Sequence, residues 1–341
     1  MESSDSLASP LPRPAAPLRL GVLGCGGILR RIYSPILQSA AAYANVEALC
    51  DVTADNLRVA GLHFPTARLY AEPKALLAEE SLDAVLVLTS EAANAASAEL
   101  CLHAGLPVYL EKPPALTPDE YERLSTRERT SGAPLFVAFN RRHAPLMAGF
   151  IPPRNLRHIR GRMERIGRPV HNFPYTALHL IDSLIFFAGE APATVAIEFS
   201  SKPVDQWRLL GVWRSGTTCV LEIVPAGNDH REYLVFEGAE ETIEVQFPNP
   251  ESRFPIGLKT RVRNGQIVET RTGDRNDSLH EMGYTPAFRN FAALMEKTSG
   301  PSDIYRLASC RDAIAIMSAM MRRTNTELRL SSPLVADATC R

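Results

Sequence analysis

The sequence predicts an α/β protein with two domains: an N-terminal doubly wound parallel sheet, then an α/β domain with an open, mostly antiparallel sheet. The first third of the chain alternates short, unbroken apolar runs with helical, Ala- and Leu-rich segments, which is typical of a parallel sheet covered on both faces. After about residue 140, strand-like segments follow one another directly. Such close spacing favours the tight hairpins of an antiparallel sheet.

The elements of both halves can be assigned in order. In the first half we predict the series LRLGVLG, ILRRIYSPILQSAAAY, VEALCDV, KALLAEES, DAVLVLTS, residues 92–103, PVYLE, PDEYERLSTRERT and PLFVAFN. In the second half we predict the strands ATVAIEFS, WRLLGVWRS, TTCVLEIVP, EYLVFEG and TIEVQF. Two helices are predicted to follow, Pro286 to Lys297 and Asp303 to Arg322.

A chain of 341 residues with 45% apolar content is long enough to form two hydrophobic cores. The change of pattern near residues 125–145 predicts a first domain over 18–140 and a second over 141–332, with the C-terminal helices able to pack back on the first. Residues 1–17 are rich in Pro and Ser and poor in large apolar side chains, so we expect a disordered leader.

The formal net charge of −1 comes from 37 basic and 38 acidic residues mixed along the chain. This balance argues against nucleic acid or a membrane surface as a partner and favours a small molecule. The six cysteines form no CxxC pair and no Cys/His spacing typical of a metal site, so we expect no metal and a reducing, cytoplasmic compartment. No apolar run is long enough to span a bilayer.

A glycine-rich loop separates the first strand from the first helix. Its residues Gly24, Cys25, Gly26, Gly27 and Ile28 are the predicted cofactor loop of a Rossmann domain, because glycines let the backbone approach a pyrophosphate at a helix N-terminus. The usual fingerprint ends in Gly or Ala, whereas this chain has Leu29.

An acidic residue, Asp51, closes the next strand, VEALCDV. A carboxylate at this place hydrogen-bonds the adenosine ribose hydroxyls and repels a 2′-phosphate. We therefore expect dinucleotide binding with NAD(H) favoured, while NADP(H) remains an alternative.

A lysine and a glutamate leave the strand PVYL and are followed at once by two prolines, in LEKPP. Open α/β sheets bind ligands at the carboxyl ends of their strands, so Glu111 and Lys112 are predicted to lie where substrate meets cofactor. Pro113 and Pro114 restrict the backbone there, which favours a fixed amine over a solvated surface pair.

The chain after residue 17 resembles the Gfo/Idh/MocA oxidoreductases. GVLGCGGI is similar to the nucleotide loop of that family, HAGLPVYLEKP to its AGKxVxxEKP segment, FNRRHAP to its strand-end NRR, and ALHLIDSLIFFAGE to its HxxD helix. The resemblance implies a Rossmann domain plus an open-faced α/β domain, NAD or NADP as cofactor, and oxidation of a secondary alcohol. The Lys–Pro peptide bond of this motif is often cis in the family, so the resemblance also implies a cis bond between Lys112 and Pro113.

The resemblance further implies a catalytic set. The lysine of the family maps onto Lys112 and its histidine onto His179, but its aspartate position is Tyr175. We expect His179, titrating near neutral pH, to act as general base and Lys112 to stabilise alkoxide character. Tyr175 either relays a proton, if Lys112 lowers its pKa, or shapes the pocket.

Other candidate residues flank this set. Where the family reads TPNxxH, this chain has Ser90, Glu91 and Asn94 at the Pro, Asn and His positions. We expect Thr89, Ser90 and Asn94 beside the cofactor together with Glu111. The predicted substrate-binding residues come from NRRHAP and from the region of the HxxD helix: Arg141, Arg142, His171, Asn172 and Asp182. The alternative for the two arginines is exposure to solvent, and the alternative for Asp182 is a structural role.

These observations predict an NAD(P)-dependent oxidoreductase that interconverts a secondary alcohol and a ketone on a sugar, cyclitol or similar polar compound, in a specialised biosynthetic pathway. Two alternatives stay open: a redox-recycling eliminase or glycosidase, and a non-catalytic dinucleotide- or metabolite-binding protein. Resemblance also implies a homodimer or homotetramer that pairs through the second-domain sheet.

Overall fold

The computed structural model describes residues 16–296 and 306–330. Its first sheet has six parallel strands in the spatial order β3-β2-β1-β4-β5-β6: β1 (Leu18–Leu23), β2 (Ala44–Cys50), β3 (Arg68–Tyr70), β4 (Ala84–Val87), β5 (Val108–Leu110) and β6 (Leu135–Val137). The helices of this part are α1 (Ser34–Ser39), α2 (Ala54–His63), α3 (Pro73–Glu79), α4 (Asn94–His103) and α5 (Pro118–Ser131). The strand order reverses between β1 and β4, so ligands are expected at the carboxyl ends of these two strands.

The second sheet has nine strands in the order β14-β13-β12-β11-β7-β10-β9-β8-β15. They are β7 (His158–Glu164), β8 (Thr194–Ser200), β9 (Gln206–Val212), β10 (Thr218–Val224), β11 (Arg231–Glu237), β12 (Glu241–Gln246), β13 (Leu258–Arg263), β14 (Gln266–Thr272) and β15 (Thr326–Arg329). β7 and β10 pair in parallel, and the other neighbours are antiparallel. The predicted fold class is confirmed.

Helix α6 (Phe173–Ala188) covers one face of the second sheet. It is almost entirely apolar and buried, and it packs against β7, β11 and the helix α9 (Arg311–Met320). It ends at Gly189, whose φ of +86° is the left-handed conformation that terminates many helices. The packing holds the polar side chains of α6 within the protein, where they meet the carboxyl ends of the first sheet.

The remaining helices return to the first sheet. In α8 (Tyr284–Glu296), Phe288 and Phe291 join the same core cluster as Tyr109, and the rings of Phe291 and Tyr109 lie 5.2 Å apart. α7 (Ser278–Glu281) precedes α8. The helix predicted from Pro286 begins two residues earlier, at Tyr284, and its predicted end at Lys297 lies outside the described residues.

The helix predicted over Asp303 to Arg322 is shorter than expected within the described residues. A 3-10 turn at Leu307–Cys310 precedes α9, which ends at Met320, while residues 303–305 lie outside the described ranges. Most of the predicted leader and the last two residues of the predicted second domain also lie outside them. The proposed domain boundary at residue 140 coincides with the start of a 3-10 turn, Asn140–His143.

Among the described residues, no helix is both long and apolar enough to cross a membrane. The described part of the chain also contains no group of three His, Cys, Asp or Glu side chains placed to hold a metal ion. Its five cysteines are free and buried, and Cys340 lies outside the described ranges.

Candidate active site

The glycine loop lies between β1 and the first helix, at the point where the strand order reverses. Gly24 has a φ of +93°, and a Cβ there would come within 2.4 Å of the Leu88 carbonyl oxygen, so only glycine fits. A Cβ on Gly26, by contrast, would meet nothing within 4 Å. The loop therefore offers an open stretch of backbone, which fits the close approach of a dinucleotide pyrophosphate.

Asp51 connects this loop to the end of β2. Its carboxylate accepts hydrogen bonds from the N–H of Cys25 at 2.7 Å, the N–H of Thr53 at 2.8 Å and the side-chain amide of Asn56 at 3.2 Å. A carboxylate has about four lone-pair directions, so one acceptor position stays available for a ribose hydroxyl. Asp51 thus orders the loop, and it fits the predicted ribose site.

Glu111 holds the backbone at Lys112 through hydrogen bonds of its buried carboxylate. Its carboxylate accepts hydrogen bonds from the Tyr33 hydroxyl at 2.6 Å and the Lys112 N–H at 3.0 Å, and the hydroxyl oxygens of Tyr33 and Tyr109 lie 3.2 Å apart. Burial raises the pKa of Glu111, although the Lys112 charge and the Tyr33 hydrogen bond oppose that shift. Glu111 is buried, and these contacts assign it to the turn. The Lys112–Pro113 peptide bond is cis.

Asn94 is the first residue of α4 and is 1% exposed. Its side-chain amide donates to the carbonyl oxygens of Glu111 and Pro113, each at 3.1 Å, and its Oδ1 accepts the Thr89 hydroxyl at 2.8 Å. Both amide hydrogens are used within the protein, so a contact with the cofactor would fall to Oδ1, and this cofactor role stays a prediction. Ser90 is exposed in the preceding turn, and the cofactor roles of Ser90 and Thr89 stay predictions.

The Lys112 ammonium reaches α6, where it donates to the carbonyl oxygen of Tyr175 at 3.3 Å. Burial lowers the pKa of Lys112, while the charges of Glu111 and Glu91 oppose that shift. Glu91 lies in the exposed turn after β4, next to the end of β5 in the sheet. Sequence reasoning noted its position but assigned it no function.

His179 lies one helical turn beyond Tyr175 and is 7% exposed. Burial, followed by the charges of Lys112 and Arg141, lowers its pKa well below the usual value of 6.5. This corrects the expectation of titration near neutral pH, since the imidazole is neutral throughout the physiological range. Its Nδ1 has no hydrogen-bond partner among the described residues.

This lowered pKa has a consequence for stability. Above the unfolded-state pKa of about 6.5 neither the folded nor the unfolded chain binds a proton at His179, but below it the unfolded chain gains a proton that the folded chain does not. Because of His179, the free energy of unfolding therefore decreases as the pH is lowered below 6.5, by up to about 1.4 kcal/mol per pH unit. In urea unfolding between pH 7 and 5, His179→Gln should show a correspondingly shallower pH dependence than the unsubstituted protein, and parallel dependences would contradict this.

Tyr175 does not receive the predicted help from Lys112. The pKa of its phenol is raised, by burial and then by the charges of Glu91 and Glu120, and the ammonium contacts its backbone carbonyl. The phenol therefore keeps its proton, which contradicts the proton-relay expectation and leaves the alternative that Tyr175 shapes the pocket.

Arg142 and Asp182 bind each other. The Arg142 guanidinium donates through Nε to Asp182 at 2.9 Å and through Nη2 to the other carboxylate oxygen, and through Nη1 to the Ser309 hydroxyl at 2.7 Å. It also stacks on the rings of Phe139 and Phe186, each at 4.7 Å. Both charged side chains are at most 4% exposed. The pair joins the end of β6 to α6 and to the segment before α9, which corrects the prediction that these two residues bind substrate.

Arg141 belongs to a second buried group of charges. Glu232 on β11 accepts Arg141 Nε at 3.2 Å and Nη2 at 3.1 Å, and also Arg165 Nη2 at 2.7 Å. Burial alone would raise the pKa of Glu232, but the two guanidinium groups lower it. The charges of Arg141 and Arg165 both contribute to the lowered pKa of His179.

Sequence reasoning missed Glu232 and Arg165, although both leave a detectable signal. Glu232 continues the buried alternation of Leu234 and Phe236 along β11, and Arg165 continues that of Met163 along β7. A charge at a position that the period of two assigns to the core indicates a buried polar site. Substrate binding by Arg141 stays a prediction, because its Nη1 has no partner among the described residues.

His171 and Asn172 lie in a 3-10 turn directly before α6, and both are exposed. They stand at the same end of α6 as Tyr175. Their predicted contact with substrate stays a prediction.

Comparison with known proteins identifies a matching family model and several relatives. Residues 18–139 match the model of an oxidoreductase family with an NAD-binding Rossmann fold. The chain is similar to the D-apiose dehydrogenase of Paraburkholderia graminis, with 29% identity over 238 residues, which are 59% of this chain and 61% of that protein. It is also similar to an inositol 2-dehydrogenase of Saccharopolyspora erythraea, with 32% identity over 129 residues, or 38% of each chain. The matched segments thus span less than two thirds of either relative.

One solved structure extends the likeness to both sheets. The WlbA dehydrogenase from Bordetella pertussis, in complex with NADH and UDP-GlcNAcA, superposes with a TM-score of 0.74 over 93% of this chain and 100% of that chain, at 16% identity. A likeness at this level of identity establishes the shared fold.

Proposed function

We propose that this chain, which belongs to the Gfo/Idh/MocA oxidoreductase family, interconverts a secondary alcohol and a ketone on a sugar, a cyclitol or a similar polar small molecule with a nicotinamide dinucleotide as cofactor. The observation that carries the proposal is the meeting of Lys112, from the carboxyl end of the first sheet, with helix α6. The ammonium hydrogen-bonds that helix at 3.3 Å, and its charge lowers the pKa of His179.

Each group of the cleft receives one task. A bound nicotinamide supplies the acceptor or donor of the hydride. Lys112 hydrogen-bonds the substrate oxygen and stabilises the negative charge that develops there. Neutral His179 accepts the hydroxyl proton during oxidation and returns it during reduction. Glu232 lies between Arg141 and Arg165 and thereby reduces the repulsion that a protonated His179 would meet.

The same arrangement gives Tyr175 and Glu91 roles at the mouth of the cleft. Tyr175 keeps its proton and offers a hydroxyl that donates a hydrogen bond to a substrate oxygen. Glu91 adds to the larger effect of Glu111, since both charges favour the cationic form of Lys112 by opposing the effect of burial on the pKa of the ammonium.

The proposal is tested by incubating the purified protein with NAD⁺ or NADP⁺ and a panel of aldoses, inositols and sugar acids, while the absorbance of the reduced nicotinamide is followed. The reverse reaction is tested with ketones and reduced cofactor. Turnover of at least one polyhydroxylated substrate is expected. A protein that binds NADH but neither oxidises nor reduces the cofactor across the panel is a binding protein, and one that forms product without net change of cofactor is a redox-recycling enzyme.

We propose the non-phosphorylated cofactor, since Asp51 stays available to a ribose hydroxyl. Asp51→Asn keeps an acceptor but removes the charge that repels a 2′-phosphate, so we expect the preference for NAD⁺ over NADP⁺ to fall about tenfold or more. The dissociation constants of both cofactors, measured by fluorescence quenching, check this without a substrate. Asp55→Asn, on exposed α2, is the matched control, and an unchanged preference in Asp51→Asn would refute the assignment.

A further inference from the structure

We propose that the buried amide of Asn94, oriented by the Thr89 hydroxyl, is a positioning residue that holds the Lys112 backbone in its working place. The inference rests on the proposed function for its kinetic consequence. The claim that Asn94 holds the Lys112 backbone in place, however, can be tested without any substrate.

The hydrogen bonds of Asn94 enclose one residue. The two carbonyl oxygens that its side chain binds, at 3.1 Å each, belong to Glu111 and Pro113, the neighbours of Lys112 on either side. Carbonyl oxygens only accept hydrogen bonds, so they determine which end of the amide faces the turn. The remaining Oδ1 then points to Thr89, whose hydroxyl donates to it at 2.8 Å.

Burial makes this arrangement hard to replace with water. Asn94 is 1% exposed, and its bonds to the Lys112 turn are made away from solvent. If the amide were lost, two buried carbonyl oxygens would lose their donors. The turn would have to shift to find others.

The position of Lys112 follows that of the turn. The Lys112 N–H is fixed by Glu111 at 3.0 Å, and the turn is tied to β4 by the bond from the Glu111 N–H to the Val87 carbonyl at 2.9 Å. These bonds constrain the side of the turn before Lys112. Among the described side chains, only Asn94 hydrogen-bonds the carbonyl oxygen of Pro113, on the side of the turn after Lys112. Its amide therefore constrains the side of the turn that the other bonds leave free.

Asn94→Asp is the sharpest variant, because it has nearly the same shape but replaces both donors by an oxygen that repels the carbonyls. We expect kcat to fall about 10- to 100-fold, while the Kd for NADH changes less than about threefold. Asn94→His retains one donor and should give an intermediate kcat. Asn276→Asp, in an exposed loop before α7, makes the same chemical change away from the turn and serves as the control.

A second readout needs no substrate. The rate at which an amine-reactive reagent labels Lys112, measured by mass spectrometry on the folded protein, depends on the access and pKa of that amine, and we expect it to change about threefold or more in Asn94→Asp. If the unsubstituted protein turns over nothing in the panel, the proposed function fails, but the labelling rate still decides whether Asn94 positions Lys112.

Thr89→Val removes the hydroxyl that orients the amide, and it decides the matter if Asn94→Asp does not fold. We expect the same changes in smaller size, with recovery in Thr89→Ser. Unchanged labelling of Lys112 in folded Asn94→Asp, or in Thr89→Val if the former is unfolded, would overturn the proposal. This holds even if kcat falls, because the loss would then arise elsewhere.

Discussion

Lys112→Met is expected to lower kcat by about 10²- to 10³-fold while the Kd for NADH stays within about threefold of its original value. Methionine has nearly the length of lysine and suits the partly buried position, but it offers no hydrogen bond and no charge to a developing alkoxide. The hydrogen bond to the Tyr175 carbonyl is also lost, and that carbonyl lies at the partly exposed end of α6, where water can replace the donor.

The measurement is steady-state kinetics on whichever substrate the panel identifies, together with cofactor binding by fluorescence. Lys74→Met on α3 is the matched control, because Lys74 is exposed and outside the cleft. A Lys112→Met protein that turns over at the original rate would remove Lys112 from the mechanism. One that no longer binds NADH would show that the lysine acts in cofactor binding instead.

Arg142→Met is expected to lower the free energy of unfolding by about 3–5 kcal/mol, because it leaves the Asp182 carboxylate buried without a counter-charge. Asp182 is 2% exposed and accepts two hydrogen bonds from Arg142. Methionine retains apolar contact with the rings of Phe139 and Phe186, so the loss should come mainly from the unpaired charge and the lost bond to Ser309.

Urea unfolding measures this effect, and the chain offers a matched comparison. Arg19 pairs with Asp83 at 3.0 Å with the two side chains 48% and 37% exposed, so Arg19→Met should cost at most about 1 kcal/mol. Adding Asp182→Leu to Arg142→Met should recover much of the lost stability, since the unpaired charge is then gone. Equal losses in Arg142→Met and Arg19→Met would contradict the structural assignment of this arginine.

Most of the first sheet was readable from sequence because its determinants are local, whereas strand β3 and helix α2 were not recognised. Strands β4, β5 and β6 are unbroken apolar runs, β1 and β2 are largely apolar, and Gly24 marks the turn that only glycine allows. In the second sheet, the segments predicted as strands are β8–β12, whereas β7, β13, β14 and β15 were not recognised. In β13 the charged side chains share one face, but Lys259 on that face is buried whereas Leu258 on the other is exposed. β14 is exposed almost throughout, so in neither strand do the apolar residues mark a buried face.

The roles of the polar residues depended on partners that are distant in the chain. Arg142 stands in an NRR motif that predicts a cleft residue, yet its partners are 40 residues away at Asp182 and 167 away at Ser309. Asn94 follows a strand end and was expected beside the cofactor, but its amide turns toward the next strand. The hydrogen-bond partners of a buried side chain are brought together by packing, so its role depends on the fold and cannot be read from the motif alone.

By itself the sequence determined the class of this protein: one parallel and one mostly antiparallel sheet, a glycine loop followed by an acidic residue at Asp51, and a lysine held by prolines at a strand end. These features are local, because strand periodicity, turn chemistry and motif spacing act within a few residues. Only the tertiary structure decided the states of the groups in the cleft. Burial and neighbouring charges lower the pKa of His179 and raise that of Tyr175, and Arg142 forms a buried ion pair with Asp182, because packing brings together side chains that are far apart in the chain.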